Sequence, residues 1–124
     1  MLYLDTHTVV WLYAGDQSRF TKKGLTLINV NDLLISPIVK LELQYLLEIK
    51  RITQTADAII SDLKKRIGLK ICQKPFEEII QNSIKQTWTR DPFDRIIVAH
   101  AALDNLMLLS KDKTILGSYE FARW

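Results

Sequence analysis

Four acidic residues, Asp5, Glu42, Asp94 and Asp112, are spread through the chain so that one fold could gather them around a cation. Four like charges brought to one end of a fold repel unless a cation joins them. A ligand set made only of oxygens, with no Cys or His, favours the hard ions Mg²⁺ or Mn²⁺. Carboxylates holding such an ion bind phosphates, polarise them and generate hydroxide for in-line attack on phosphorus.

Each acid also has an ordinary reading. Asp5 closes the apolar run Leu2-Tyr-Leu and opens a helical pattern, so a helix cap is as good an account of it. Asp112 follows Leu106–Leu109 by three residues, in Ser110-Lys111-Asp112, and alone would be a solvated loop acid. Glu42 resists the ordinary reading. On a helix it shares a face with Ile38, Tyr45 and Leu46, with Leu41 and Ile49 at the border, a stripe expected to pack inward. An ionised carboxylate buried there costs several kcal/mol unless a cation or an arginine compensates it. Asp94 lies in the first turn of an almost wholly apolar helix, with Ile97 and Val98 at i+3 and i+4. Asp91, just before Pro92, reads as an N-cap, with a role beside the metal as its secondary assignment.

The elements that must position these acids alternate. Strands are predicted at 2–4, 33–35, 69–72 and 106–109. Helices are predicted over 6–14, 21–30, 37–50, 55–67, 75–88 and 92–104. The tail from 114 to 124 should hold a short helix and a last edge strand. Ser36-Pro37, Lys74-Pro75 and Asp91-Pro92 punctuate three helix starts, where proline is favoured at the first helical position. Strands alternating with helices imply βαβ units and a mostly parallel sheet covered on both faces. In such sheets a ligand site lies outside the carboxyl ends of the strands.

Composition sets bounds. The 124 residues fit one domain, 1–124, of ordinary composition, with 48% hydrophobic and 25% charged residues. One cysteine, Cys72, excludes an internal disulfide and suits a reducing, cytoplasmic setting. The N-terminus meets a carboxylate at Asp5 and does not read as a signal peptide. The uncharged run from Thr6 to Gly15 is half of what spans a bilayer, so no membrane is implied. The net charge of +3 is modest, but with the four acids assigned to a metal the rest carries 17 basic against 10 acidic residues. Such a surface suits a polyanion.

At these residues the chain resembles the PIN-domain family, and within it the VapC-like toxins of toxin–antitoxin pairs. The matching pieces are Leu2-Tyr-Leu-Asp-Thr-His-Thr, Ile35-Ser-Pro with Glu42 beyond it, Asp91-Pro-Phe-Asp-Arg-Ile and Leu108-Leu-Ser-Lys-Asp, in order along the whole chain. The family's acidic ligands fall on Asp5, Glu42, Asp94 and Asp112. Its usual threonine two residues before the last acid is Ser110 here, and its frequent glycine after the Glu-bearing helix is Lys50-Arg51. The resemblance implies a three-layer α/β/α sandwich and a Mg²⁺- or Mn²⁺-dependent endoribonuclease. It also implies a homodimer, an RNA substrate and inhibition by a cognate antitoxin protein. Thr6, Ser36, Asp91, Arg95 and Ser110 are expected to orient the acids or touch substrate.

Other candidates carry less. His7 and His100 could serve as a metal-free acid–base pair, but both sit within helices and read as packing residues or as supports of the site. Trp11, Trp88 and Trp124 read as core or dimer surface rather than as platforms for bases. Arg90, Arg95 and Lys111 flank the acids and could meet phosphates, although surface solvation explains each one singly. A receiver-like signalling module would want an acidic pair after the first strand and an aspartate ending a central strand. Here Thr6-His7 follow Asp5, and strand 69–72 ends without an acid. A catalytically silent binding module would have no need of all four acids.

Overall fold

The computed structural model describes residues 1–124. In chain order the elements are β1 (Leu2–Leu4), α1 (Thr6–Ala14), α2 (Lys22–Val30), β2 (Leu33–Ile35), α3 (Pro37–Glu48), α4 (Ala56–Ile67), β3 (Lys70–Ile71), α5 (Phe76–Ile84), α6 (Pro92–Ala102), β4 (Met107–Leu109), α7 (Lys113–Ser118) and β5 (Ala122–Arg123). A 3₁₀ turn at Gln17–Arg19, capped by Asp16, was not foreseen from the apolar pattern.

The strands form one sheet in the order β3-β2-β1-β4-β5, and every neighbouring pair is parallel. Parallel neighbours need crossover connections, which is why helices fill every gap. From β1 the chain steps outward to β2 and β3, then returns across the sheet to β4 and steps outward to β5 on the other side. Crossovers are right-handed, so connections running in opposite directions put their helices on opposite faces. The result is the expected α/β/α sandwich, with α1, α3 and α4 packed together and α5 packed on α6. The central strand β1 shows no polar alternation, because Leu2, Tyr3 and Leu4 are covered on both faces.

Local chemistry explains the boundaries. Asp5, Thr21, Ser36, Thr55, Asp91 and Asp112 each accept a backbone N–H at a helix start. Gly15 and Gly68 end α1 and α4 at φ 70° and 68°, a conformation that suits glycine.

Several expected bounds shift. Asp112 is a helix cap rather than a loop acid, since its Oδ1 accepts from Thr114 and Ile115 at 2.8 and 3.0 Å. The helix expected over 75–88 stops at Ile84, with Pro75 outside it. Beyond it the chain turns, and Trp88 Nε1 reaches back to Gln86 Oε1 at 2.8 Å. The helix expected to 104 ends at Ala102, where Asn105 at φ 54° lets Leu106 N–H bond Ala101 C=O at 2.9 Å. Likewise α3 ends at Glu48 rather than 50, and Lys50 takes the left-handed position at φ 63° where a glycine would be unstrained. No helix is long and apolar enough to cross a membrane.

Candidate metal centre

In a parallel sheet the two strands whose connections leave in opposite directions open a crevice at their carboxyl ends. Here those strands are β1 and β4. Asp5 directly follows β1 and Ser110 directly follows β4. The backbone closes the seam, with Asp5 N–H bonded to Leu109 C=O at 3.1 Å. Ser110 stitches it further. Its wholly buried Oγ donates to Asp5 Oδ2 at 2.7 Å and accepts the Asp112 N–H at 3.1 Å.

A cleft of about 360 Å³ lies at this point, lined by Asp5, His7, Trp11, Glu42, Asp91, Asp94, Lys111 and Asp112. All four sequence-predicted ligands are therefore brought together, and Asp91 joins them. Asp5 is buried, its Oδ1 accepting from Thr6 N–H at 2.8 Å. Thr6 Oγ1 donates to Glu42 Oε1, so one residue orients two of the acids.

Glu42 corrects part of the sequence reading. The buried stripe of α3 runs through Val39, Leu43 and Leu46, while Leu41, Tyr45 and Ile49 are exposed. Glu42 thus sits half-buried on the margin of the core face, where its carboxylate reaches the cleft and avoids full burial. Asp94 is also half-buried, and its side chain accepts no hydrogen bond from the chain. Asp91 acts as the expected cap, its Oδ1 accepting from Phe93 and Asp94 N–H at 2.8 and 3.3 Å.

The electrostatics follow from this crowding. Burial, then the charges of Asp91, Asp5, Asp112 and Glu42, push the Asp94 carboxyl up to about 7. Burial also raises the Asp5 and Glu42 carboxyls from their ordinary values, opposed by the hydrogen bonds that Asp5 accepts from Ser110 and Thr6 and that Glu42 accepts from Thr6. The salt bridges of the chain use Asp16, Asp57, Asp62 and Asp104, so no basic side chain pairs with any acid of the cleft. As the side chains stand, no three carboxylate, imidazole or thiol groups converge closely enough to cage an ion. The donor set nonetheless fits a hard divalent cation. It is all oxygen, lies in one cleft, and leaves Asp94, Glu42 Oε2 and Asp112 Oδ2 without partners in the chain.

The remaining expected residues divide. Thr6 and Ser110 support the acids directly. Ser36 is buried as the cap of the helix carrying Glu42 and does not line the cleft. Arg95 is not brought to the cleft either, because its Nε is held by Thr89 C=O at 2.8 Å. His100 is buried, its Nδ1 3.1 Å from Ile96 C=O, and burial lowers its pKa, as a packing role requires. His7, Trp11 and Lys111 also line the cleft. The sequence offers His7 as packing or a support of the site and Lys111 as a solvated or phosphate-facing cation, and only Trp11 reads there purely as core or dimer surface. The i, i+4 spacing of His7 and Trp11, on the helix that Asp5 caps, is the available signal.

The PIN domain family profile matches residues 2–118. No protein of curated function matches the sequence. Among solved structures, the fold is similar to a chain in the crystal structure of VapBC2 from Rickettsia felis bound to a DNA fragment from their promoter. That match has a TM-score of 0.71 and 18% identity, over 99% of this chain and 98% of the other. It is similar also to a chain of a toxin–antitoxin complex from Klebsiella pneumoniae, with a TM-score of 0.68 and 18% identity over 100% and 97% of the two chains. With a profile match over nearly its whole length and an acid-lined crevice at the β1/β4 switch point, the chain belongs to the PIN domain family.

Proposed function

We propose that this protein is a metal-dependent endoribonuclease, hydrolysing RNA phosphodiester bonds with Mg²⁺ or Mn²⁺ held by Asp5, Glu42, Asp94 and Asp112. The observation that carries this reading is a cleft in which five carboxylates meet no basic partner, so that Asp94 is driven up to about 7. A cation in the cleft would relieve the repulsion within such a cluster. When bound, the ion supplies the Lewis acidity that phosphodiester hydrolysis needs. The chain's own residues prepare the place. Ser110 and Thr6 hold Asp5 by both oxygens, Thr6 also holds Glu42, and the α7 backbone holds one oxygen of Asp112. Residues 1–124 act as one nuclease domain in this reading.

We further propose that it is the toxin of a VapBC-type pair, working in the cytoplasm as a homodimer and silenced by a cognate antitoxin. Family membership and the likeness to chains from toxin–antitoxin complexes support this. An exposed apolar face on α3, formed by Leu41, Tyr45 and Ile49 with Phe93 6.0 Å from the Tyr45 ring, is suited to a second copy. A basic side chain from the antitoxin would satisfy the acidic cleft.

The test uses purified protein and RNA. Cleavage should vanish in EDTA, return with Mg²⁺ or Mn²⁺, and leave 5′-phosphate and 3′-hydroxyl ends. Products with 2′,3′-cyclic phosphate formed in EDTA would sink the metal reading in favour of a histidine mechanism.

A further inference from the structure

Lys111 stands among five carboxylates and pairs with none of them. Its ammonium instead lies 5.8 Å from the centroid of the Trp11 ring, an attraction between a cation and the negative face of an indole. Arg19 lies 5.5 Å from the same centroid. Its Nε is used by Asp16 at 3.2 Å, and its terminal nitrogens make no hydrogen bond within the chain. Trp11 is itself fixed. It meets Phe20 and Trp124 edge-on at 6.2 and 5.7 Å, and those two rings stack on each other at 5.2 Å. One indole thus carries two cations, and only one of them, Lys111, also lines the acidic cleft.

A lysine placed merely to neutralise the acids would lie against a carboxylate. Holding it on an aromatic ring keeps an exposed, hydrated donor at the rim, free for an incoming anion. The guanidinium beyond it offers a planar fork suited to phosphate oxygens. Both belong to the surface that stays basic once the metal-site acids are set aside.

We propose that Lys111, carried on Trp11, takes an RNA phosphate next to the scissile one, and that Arg19 on the same ring takes a further phosphate of that strand. The inference rests on the nuclease reading above and gives the substrate a path from the cleft along α1 towards Phe20 and Trp124. Lys111 is on this view a positioning residue, and Trp11 positions it.

Two measurements on the full-length protein test this. One is fluorescence anisotropy with a labelled single-stranded RNA oligonucleotide of mixed sequence, in the Asp94→Asn background so that binding is read without cleavage. The other is steady-state cleavage of the same RNA in Mg²⁺. Lys111→Met should raise Kd and KM about five- to tenfold with kcat within about twofold, the pattern of a contact made equally in ground and transition states. The dependence of log Kd on log salt should weaken by about 0.7, the loss of one single-strand phosphate contact. Lys111→Arg should restore both. Arg19→Met should act in the same direction but less. Lys113→Met, two residues away and outside the cleft, should leave Kd and KM unchanged. The proposal is overturned if Lys111→Met lowers kcat at constant KM, or weakens binding of an antitoxin protein while leaving RNA affinity alone. The nuclease reading fails separately, if the unaltered protein does not cleave RNA or if cleavage survives Asp5→Asn.

Discussion

Two hollows draw on the same strand and could hardly be more different. Tyr3, in the middle of β1, helps line the larger, of about 870 Å³, whereas Asp5 opens into the acidic cleft of about 360 Å³. In the larger hollow Tyr3, Cys72, Lys74 and Asp104 are matched with one another within the chain. Tyr3 Oη donates to Cys72 Sγ at 3.0 Å. Lys74 Nζ meets Asp104 Oδ2 at 2.6 Å and His100 C=O at 3.0 Å, and lies 5.4 Å from the Tyr3 ring centroid. Burial pushes the Tyr3 phenol far above its ordinary range, so it stays protonated near neutral pH. In the smaller hollow hydrogen bonds aim Asp5, Glu42, Asp91 and Asp112 but not Asp94, and none of the five forms an ion pair. Volume reflects how helices happen to cover a sheet, whereas unmet charge costs stability and persists where a ligand answers it.

The largest effects that could break this contrast are on turnover. Asp5→Asn, Glu42→Gln, Asp94→Asn and Asp112→Asn should each cut RNA cleavage by more than about a hundredfold, whereas Ser110→Ala should cost about 10–100-fold, as for other residues that orient ligands. Asp91→Asn should keep activity within about tenfold, because asparagine still caps α6. Initial rates on a labelled RNA check the series. A reversed ranking of Asp91 and Asp94 would move the ligand role to Asp91.

Stability should respond with opposite signs in the two hollows. Lys74→Met strips matched partners of their cation and should lower stability by about 1–2 kcal/mol, with or without Mg²⁺. Asp94→Asn should instead raise the thermal midpoint in EDTA at pH 7.5, by about 1–4 °C. The sign follows from linkage. Asp94 titrates near 7 in the fold and near 3.9 unfolded, so the native state binds more protons between those values. Its contribution to wild-type stability is full below about pH 4 and lost as pH rises through about 7. The mutant's advantage should therefore disappear below about pH 4, and Mg²⁺ should shrink it at pH 7.5 by binding only the folded site. Calorimetry in EDTA and in Mg²⁺ would decide. A mutant that melts lower than wild type in EDTA would mean the carboxylates are not crowded.

The smallest change touches neither hollow. Lys50→Gly relieves a left-handed lysine at φ 63° and should add about 0.5 kcal/mol, the steric relief less the extra chain entropy of glycine. Its value is as a reference, since EDTA and Mg²⁺ should not alter it.

Strand and helix alternation, the caps at Asp5, Ser36 and Asp91, and the acids Glu42 and Asp94 were legible one residue at a time. Periodicity, capping and proline placement act within a few positions, so the chain declares them locally. Glu42 and Asp94 stand out locally because acids on apolar helices conflict with their surroundings, whereas Asp5 and Asp112 each have an ordinary local reading and join the set only in company with the others and through the family resemblance. The ends of α5 and α6 were less legible, since Trp88 and Asn105 settle them through turns that no period announces. What only the tertiary structure decided is long-range. The strand order sets β1 beside β4, and through it Ser110 reaches Asp5 across 105 positions. The same packing turned Arg95 to Thr89 and brought Lys111 over Trp11, a difference between two cations that flank the acids alike in the sequence. A long, exposed cation can reach many partners at similar cost, so its neighbour is chosen by which surfaces the crossovers bring together rather than by its place in the sequence.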